Sequence, residues 1–290
     1  MSSLLQGILP IVYTPFTADG AIDEEDVRRL VNHLIAAGAH GLSAVGGGSE
    51  AQKMSTDERR WLASVVIQEA RGRVPVIVGV SSASTAQSVE LARHAEASGS
   101  VAVFATPLAG AAELPALRQH YGALAGAMSL PIAVQDAQPP VAPADVAALA
   151  GEIPGITYVK EEAADSGHRI TELRHLLGDR VRILSGGSFL LDDLARGAHG
   201  AIPGSVGVAD LAHAYNCHCS SDPRGARAAF DHFLPLSFWR RQFPLLGAKE
   251  VLRRVGVFKA AYLREQGAQH LDEHDHRELS ALMEAMGPPF

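Results

Sequence analysis

The sequence of 290 residues is 47% hydrophobic and 20% charged, the composition of a globular protein long enough to bury a large core. Its net charge of -7, without a basic stripe, argues against a nucleic-acid partner, and no apolar run reaches the roughly 18 residues of a membrane span. Two cysteines, Cys217 and Cys219, are too few for a disulfide framework, and the N-terminus lacks the features of a signal peptide, so we expect a cytoplasmic protein.

Short apolar segments alternate with helical patterns eight times. The predicted strands are 8–13, 40–45, 75–80, 101–105, 131–135, 155–160, 181–184 and 200–203. Helical spacing of apolar residues fills the intervals, with Asp23 and either Ser55 or Thr56 as expected N-caps. Continuous apolar strands separated by helices predict a parallel sheet, and eight units favour an α/β fold closed into a (β/α)8 TIM barrel. No G-x-G-x-x-G follows the first strand, which weakens a dinucleotide-binding alternative.

The C-terminal part has helical patterns alone, at 226–239, 244–265 and 273–286. We therefore expect a catalytic barrel domain from 1 to 224 and a C-terminal α-helical domain from 225 to 290. Because catalytic groups of such barrels project from the carboxyl ends of strands, polar residues at those ends are the candidates for a site.

The sixth strand ends in a lysine, Lys160, one of only four lysines in the chain. A lysine amine that is partly withdrawn from water at a strand end can attack a carbonyl carbon and form a Schiff base, which an arginine cannot do. The alternative is a lysine that points to solvent or pairs with Glu161 or Glu162. Since other strand ends also carry polar groups or glycines, we favour a reactive Lys160.

Four other strand ends complete the candidate site. They carry Gly46 to Glu50, Gln135–Asp136, Ser185 to Gly187 with Gly186 at its centre, and Gly204–Ser205. The backbone N–H groups of Gly47 and Gly48, with the hydroxyl of Ser49, could bind a carboxylate. A carboxylate held beside a lysine imine suits a 2-oxo acid. We expect Gly186 and Ser205 to contact the substrate as well.

These residues resemble the superfamily of dihydrodipicolinate synthase and N-acetylneuraminate lyase. Its marks are Thr14–Pro15–Phe16 with Asp19–Gly20, the loop Gly46 to Glu50, Thr106–Pro107, Leu130–Pro131, Val159–Lys160–Glu161 and Gly200–Ala201–Ile202. The resemblance implies a Schiff-base enzyme on a (β/α)8 barrel, with Lys160 as the imine-forming lysine and Gly47, Gly48 and Ser49 as the carboxylate loop. It also implies a homo-oligomer, a tetramer or a dimer.

The departures from that pattern bear on the substrate and argue against dihydrodipicolinate synthesis. The hydroxyl residues of the family's loop are Gly47 and Gly48 here, and its catalytic tyrosine aligns with Gln135. The family's second tyrosine aligns with residues 107–109, which include no tyrosine in this chain. The arginine that follows the fifth strand in the synthase aligns with about Pro140. The run Val134 to Ala137, with Tyr158 before the lysine, resembles the branch of 2-keto-3-deoxy-L-arabonate dehydratase.

We therefore expect a lyase that forms an imine between Lys160 and a 2-keto-3-deoxy sugar acid and eliminates water from it. The alternatives are an aldolase of the same family that releases pyruvate, and a non-catalytic protein that binds a 2-oxo acid. Side chains alternate along a strand, so Tyr158 could share the face of Lys160 and move protons, or could be a core aromatic residue. We expect Gln135 to bind the substrate and Glu50 to stabilise its loop by capping the loop's own backbone.

No cofactor is implied, because the lysine itself supplies the reactive group. The cluster His213, Cys217, His218 and Cys219 has no second half at zinc spacing, so we expect no metal site there.

Overall fold

A computed structural model describes residues 5–110, 113–136, 140–265 and 269–288 of the chain. The N-terminal residues 1–4 and Ala137, the last residue of the motif after the fifth strand, lie outside them. The strands are β1 (Gly7–Ile8), β2 (Leu42–Ala44), β3 (Val76–Gly79), β4 (Ala102–Ala105), β5 (Ile132–Asp136), β6 (Ile156–Glu161), β7 (Arg182–Ser185) and β8 (Gly200–Ala201).

All eight strands are parallel and neighbour one another in the order β1-β8-β7-β6-β5-β4-β3-β2. The two ends of this order meet through the segment after β1, where Ile11 forms a parallel bridge with Ser43. Val12 N–H also donates to the Ser43 carbonyl over 2.8 Å. The sheet is thereby curled into a (β/α)8 barrel, which confirms the predicted fold class.

Helices cover the barrel and extend beyond it. They are α1 (Glu24–Ala36), α2 (Thr56–Ala70), α3 (Thr85–Ser98), α4 (Leu114–Ala127), α5 (Pro143–Glu152), α6 (Ser166–Leu177), α7 (Leu190–Ala195), α8 (Val208–Cys219), α9 (Pro223–Trp239), α10 (Leu246–Arg254) and α11 (Glu273–Met286). The predicted caps are present: the side chain of Asp23 accepts from Asp26 N–H, and that of Ser55 from Glu58 N–H. Within the described ranges, no helix has both the length and the apolar character of a membrane crossing.

The C-terminal region departs most from the sequence pattern. The helix predicted over 244–265 is confined to Leu246–Arg254, because Gly256 adopts a left-handed conformation with φ +76° just after it. The chain from 257 to 265 then runs as irregular structure. Arg264 N–H donates to Glu50 of the loop that follows β2, and the Tyr262 carbonyl accepts from Lys249, which pairs with the same Glu50. Helix α8, where no helix was predicted, completes the eighth strand–helix unit.

The core lies inside the barrel and between its strands and helices. Every residue of β2, β3 and β4 is buried, as expected for parallel strands covered on both faces. The pairing of β5 with β6 shifts by one residue at Thr157, and beyond that shift Gln135 pairs with Lys160. The register thus brings an amide and an amine side by side at the carboxyl end of the barrel.

Candidate active site

Lys160 lies near the carboxyl end of β6, between Gln135 of β5 and Leu184 of β7. Only 2% of the residue is exposed. Its Nζ is 3.0 Å from Oε2 of Glu162 and 5.3 Å from the centre of the Phe104 ring. The amine is therefore withdrawn from solvent, which contradicts a lysine that points to solvent, but it does pair with Glu162, as the other half of that alternative predicted.

Glu162 joins the lysine to the amide of the neighbouring strand. Its Oε2 accepts a hydrogen bond of 2.7 Å from Nε2 of Gln135, in addition to its contact with Lys160. Glu162 is absent from the predicted catalytic residues. The alternation of side chains that points to Tyr158, two residues before the lysine, points equally to position 162, two residues after it. The structure brings together a lysine, a carboxylate and an amide, and leaves the tyrosine elsewhere.

Tyr158 points away from this group. It is 3% exposed, and its hydroxyl accepts the N–H of Leu5 over 3.0 Å. Leu5 precedes β1 and so lies at the amino-terminal end of the barrel, opposite the end that carries the tip of Lys160. This hydrogen bond contradicts a role for Tyr158 in proton transfer at Lys160. Tyr158 is a core residue that closes the lower end of the barrel.

The loop after β2 forms a short 3₁₀ turn over Gly47–Ser49. Ser49 is fully buried, and its hydroxyl donates to the Val12 carbonyl over 2.7 Å and accepts from Gly46 N–H over 3.2 Å. Its own N–H donates to the Gly46 carbonyl. Both donors of Ser49 are thus occupied within the protein, which contradicts its prediction as a substrate ligand. Ser49 fixes the loop to the segment after β1.

Two of the three glycines in this loop have no room for a side chain. A Cβ at Gly48 would come within 2.6 Å of Cε1 of Tyr13, and one at Gly46 within 2.5 Å of Cδ1 of Ile11. At Gly47 the nearest atom would be 3.9 Å away. The side chains of the segment after β1 therefore fill the space that a larger residue would need at positions 46 and 48, while position 47 faces open space.

Val45, which leads into the loop, has a backbone conformation that is rare for its residue type. Its φ is +61°, in the left-handed region that β-branched residues seldom adopt. Its carbonyl would lie only 2.3 Å from a Cβ at Gly79 of β3, so the glycine there makes room for this carbonyl. The chain is forced into its turn at the entrance of the cavity by packing on both sides.

Glu50 anchors the other end of the loop. It is 2% exposed, and its Oε1 accepts 2.6 Å from Nζ of Lys249, a fully buried residue of α10. Oε2 accepts from Arg264 N–H over 3.1 Å, and Lys249 also donates to the Tyr262 carbonyl over 2.8 Å. Glu50 does stabilise the loop, but through the C-terminal segment and not by the predicted capping of its own backbone. Burial lowers the pKa of Lys249, against the opposite effect of the Glu50 carboxylate.

The remaining predicted ligands have internal partners. The hydroxyl of Ser205 donates to the Ile11 carbonyl and accepts from Tyr13 N–H over 3.3 Å, which contradicts its prediction as a substrate ligand. Gly186 N–H donates to the Glu161 carbonyl over 3.1 Å. Gly186 lines a separate cavity of about 260 Å³. Because it has no side chain, only its backbone could contact a ligand there.

A cavity of about 470 Å³ opens at the carboxyl ends of β2 to β5. Its walls include Gly47, Arg59, Phe104 and Gln135. Two of these wall residues are neighbours of the lysine, since Gln135 pairs with Lys160 and the ring centre of Phe104 lies 5.3 Å from its Nζ, so the cavity lies beside Lys160. Its size suits a small polar ligand.

The cysteine and histidine cluster lies on α8, away from this cavity. Sγ of Cys217 is 3.7 Å from Nε2 of His213. Within the part of the chain that the structure describes, no three His, Cys, Asp or Glu side chains are grouped so as to hold a metal ion.

A parallel (β/α)8 barrel with its polar groups at the carboxyl ends of the strands is the architecture of TIM-barrel enzymes. The chain belongs to the dihydrodipicolinate synthetase family, whose model matches residues 4–286. Members of this family are lyases, and the resemblance inferred from the motifs is confirmed at that level.

Two similar relatives carry the same name. A 4-hydroxy-tetrahydrodipicolinate synthase of Rhodopseudomonas palustris (strain BisA53) is 36% identical over 202 residues, 68% of each chain. Another, of Phenylobacterium zucineum (strain HLK1), is 32% identical over 225 residues, 76% of each chain. A crystal structure of dihydrodipicolinate synthase from Rhodopseudomonas palustris superposes with a TM-score of 0.88 at 26% identity, covering 97% of both chains. These relatives support the aldolase alternative and give no support to the dehydratase branch.

Proposed function

We propose that this protein is a lyase that forms a Schiff base between Lys160 and the ketone of a 2-oxo acid, and makes or breaks a carbon–carbon bond next to that ketone. The observation that carries the proposal is the buried amine of Lys160, with Glu162 at 3.0 Å and a cavity beside it that is lined by Gln135 and Phe104. The names of the relatives favour carbon–carbon chemistry over dehydration.

Glu162 takes the part of proton carrier in this proposal. It accepts a proton from the Lys160 ammonium, and the free amine attacks the C2 carbonyl carbon of the substrate. Glu162 returns this proton to the hydroxyl of the carbinolamine, which leaves as water, and the protonated imine that remains draws electrons from C3. A C3 proton then passes to Glu162 and an enamine forms. Gln135 does not titrate, and its hydrogen bond to Glu162 keeps the carboxylate beside the amine.

The carbon–carbon bond forms or breaks at C3 of the enamine. In the direction of synthesis its C3 carbon attacks an aldehyde carbon, and Glu162 gives its proton to the new alkoxide. In the direction of cleavage the same steps run in reverse and hydrolysis of the imine releases pyruvate. The N–H groups of Gly47 and Gly48, which have no acceptor among the described residues, would hold the substrate carboxylate.

Dehydration of a 2-keto-3-deoxy sugar acid is the second candidate. A carboxylate beside the imine, in place of the family's tyrosine, favours it, because Glu162 can take the C3 proton and return it to the C4 hydroxyl as that group leaves as water. Both reactions share the imine, so the lysine alone does not separate them.

Borohydride trapping tests the shared step. The protein is incubated with pyruvate, reduced, and its intact mass is measured, with Lys160→Ala as the test variant and Lys53→Ala as a control that removes an exposed lysine. We expect one adduct in the wild type and in Lys53→Ala, and none in Lys160→Ala. An adduct that persists in Lys160→Ala, or no adduct with any 2-oxo acid, would refute the proposal.

Product analysis separates the two reactions. A panel of 2-keto-3-deoxy sugar acids is added, and pyruvate is assayed beside the dehydrated 2-oxo product. Release of pyruvate indicates cleavage, and a dehydrated product without pyruvate indicates the hydro-lyase. Trapping with neither product would favour the non-catalytic binding protein. Glu162→Gln should slow turnover by about 10² to 10⁴ while the adduct still forms, and unchanged turnover would exclude Glu162 as the proton carrier.

Assembly stays a prediction. The resemblance implies a tetramer or a dimer, and sedimentation equilibrium of the purified chain measures which state it adopts. A monomer at micromolar concentration would contradict the prediction.

A further inference from the structure

Arg59 of α2 lies at the wall of the main cavity, and its positive charge is unpaired among the residues that the structure describes. The residue is 9% exposed, and its Nη1 donates to the Ser81 carbonyl over 2.9 Å. Its Nε is buried without any partner, and no carboxylate among the described residues pairs with its guanidinium. The next residue, Arg60, shows the usual arrangement, since it pairs with both Asp57 and Glu90.

Arg59 makes no ion pair among the described residues that would stabilise the fold. Among the described residues that line the cavity, Arg59 is the only charged one. Burial without a counter-ion lowers the pKa of Arg59, although an arginine stays protonated at neutral pH. A desolvated cation with a free N–H group is unfavourable alone and becomes favourable once an anion binds it.

The position of Arg59 relates it to the lysine. Its guanidinium lies on Ser81, just beyond the end of β3, and Ser81 Oγ in turn accepts from Thr106 N–H beyond β4. Lys160 is on β6, three strand intervals away from β3, which corresponds to about 14 Å along the barrel wall. Arg59 reaches the cavity from α2, and Nζ of Lys160 lies 5.3 Å from the ring centre of Phe104, which lines the same cavity, so a ligand that extends from the lysine through the cavity approaches the guanidinium.

We propose that Arg59 is a specificity-determining residue that binds a carboxylate at the far end of the substrate, while Lys160 holds the ketone. The inference rests on the proposed Schiff-base function and adds to it a preference for 2-oxo acids that carry a second, distal carboxylate. A single arginine balances one negative charge, which matches a carboxylate better than a phosphate monoester with nearly two. The planar guanidinium also fits the two carboxylate oxygens.

Matched ligands that differ only in the distal carboxylate test this inference. The concentration dependence of borohydride trapping is measured for 2-oxoglutarate against 2-oxopentanoate, and for 2-oxoadipate against 2-oxohexanoate. In the wild type, we expect at least one dicarboxylate to be trapped at a concentration about tenfold to a hundredfold lower than its monocarboxylate partner. Arg59→Met should abolish this ratio, and the concentration at which pyruvate is trapped serves as the reference for each variant.

Two further variants separate the charge of Arg59 from a structural role. Arg59→Lys keeps the charge without the planar donors and should restore part of the ratio. Arg60→Met removes a neighbouring charge outside the cavity and should leave the ratio at the wild-type value. Equal trapping within both ligand pairs in the wild type, or a ratio that survives in Arg59→Met, would overturn the inference.

The test also distinguishes a failure of the Schiff-base proposal from a failure of this one. If pyruvate forms no adduct with the wild type, the Schiff-base function fails. Calorimetry of the same ligand pairs with Lys160→Ala then measures the preference without an imine. A dicarboxylate preference that is lost in the double variant Lys160→Ala/Arg59→Met supports the Arg59 subsite, and no preference in Lys160→Ala refutes it.

Discussion

The buried ion pair between Glu50 and Lys249 can be broken at one partner. Lys249→Met removes the ammonium that lies 2.6 Å from Oε1 of Glu50 and keeps an unbranched side chain of similar length. The carboxylate that remains is 2% exposed. It keeps the N–H of Arg264 at 3.1 Å and the more distant ammonium of Lys53 at 3.6 Å.

Leaving one charge of a buried pair without its partner costs about 3–5 kcal/mol. Because Glu50 keeps one hydrogen bond and a second cation nearby, we expect the lower end of that range, about 3 kcal/mol. In a protein of this size each kcal/mol lowers the midpoint of thermal unfolding by roughly 2–3 °C, so Lys249→Met should melt about 6–9 °C below the wild type.

The chain offers a matched control in Lys53, which pairs with the same carboxylate from a side chain that is 36% exposed. Lys53→Met should cost no more than about 1 kcal/mol. The double variant Lys249→Met/Glu50→Gln should recover part of the loss, because the charge left behind is neutralised. Urea unfolding of the four proteins gives the free energies. If Lys249→Met is no less stable than Lys53→Met, the anchoring role of the buried pair is wrong.

Four further variants test individual residues. Gly48→Ala should cost about 1–3 kcal/mol of stability and weaken trapping of pyruvate, since its Cβ would lie 2.6 Å from the ring of Tyr13. Gly47→Ala is the control, and it should keep wild-type stability because the nearest atom is 3.9 Å away. Equal effects of the two variants would show that the space at position 48 is not limiting. Tyr158→Phe should leave the N–H of Leu5 unsatisfied at a cost of about 1–3 kcal/mol without slowing turnover, and a hundredfold slower turnover would restore Tyr158 as a proton carrier. Burial lowers the pKa of His199 to about 4, so between pH 6.5 and 4 the unfolded chain binds a proton that the folded protein does not, and stability is lost as pH falls. Because His199 is partly exposed, we expect its share of this loss to be about 1–2 kcal/mol. Urea unfolding at pH 7 and pH 4.5 measures the loss, which should be smaller by that amount in His199→Asn. An equal loss in the wild type and in His199→Asn would exclude the effect.

The barrel could be predicted from the sequence because its strands are continuous apolar runs. Periodicity and N-caps gave the order and type of the units, and Asp23 and Ser55 cap as predicted. The C-terminal region was less predictable. A helical pattern continues past Gly256, but the left-handed backbone there ends the helix, and the following segment is held by contacts with Glu50 that are distant in sequence.

The site was predictable only in part, for a related reason. Lys160 stands out because a lysine at the end of an apolar strand has few structural explanations. The partners of polar side chains depend on three-dimensional neighbours. Ser49 and Ser205 look like exposed donors in the sequence, yet both bond the segment after β1. Glu162 looks like an ordinary surface carboxylate until the register of β5 with β6 brings Gln135 beside it.

The backbone strain at Val45 lowers the stability of the protein, while the same conformation holds the loop of the candidate site in place. A β-branched residue held at φ +61° stores about 1–3 kcal/mol of backbone strain, and that energy is available to any substitution that relaxes the turn. Val45→Gly would release it, yet it would also free the turn over Gly47–Ser49 to leave its present conformation. A variant that melts higher and traps pyruvate more weakly would show that the rigidity of the loop is maintained at the expense of the stability of the whole chain.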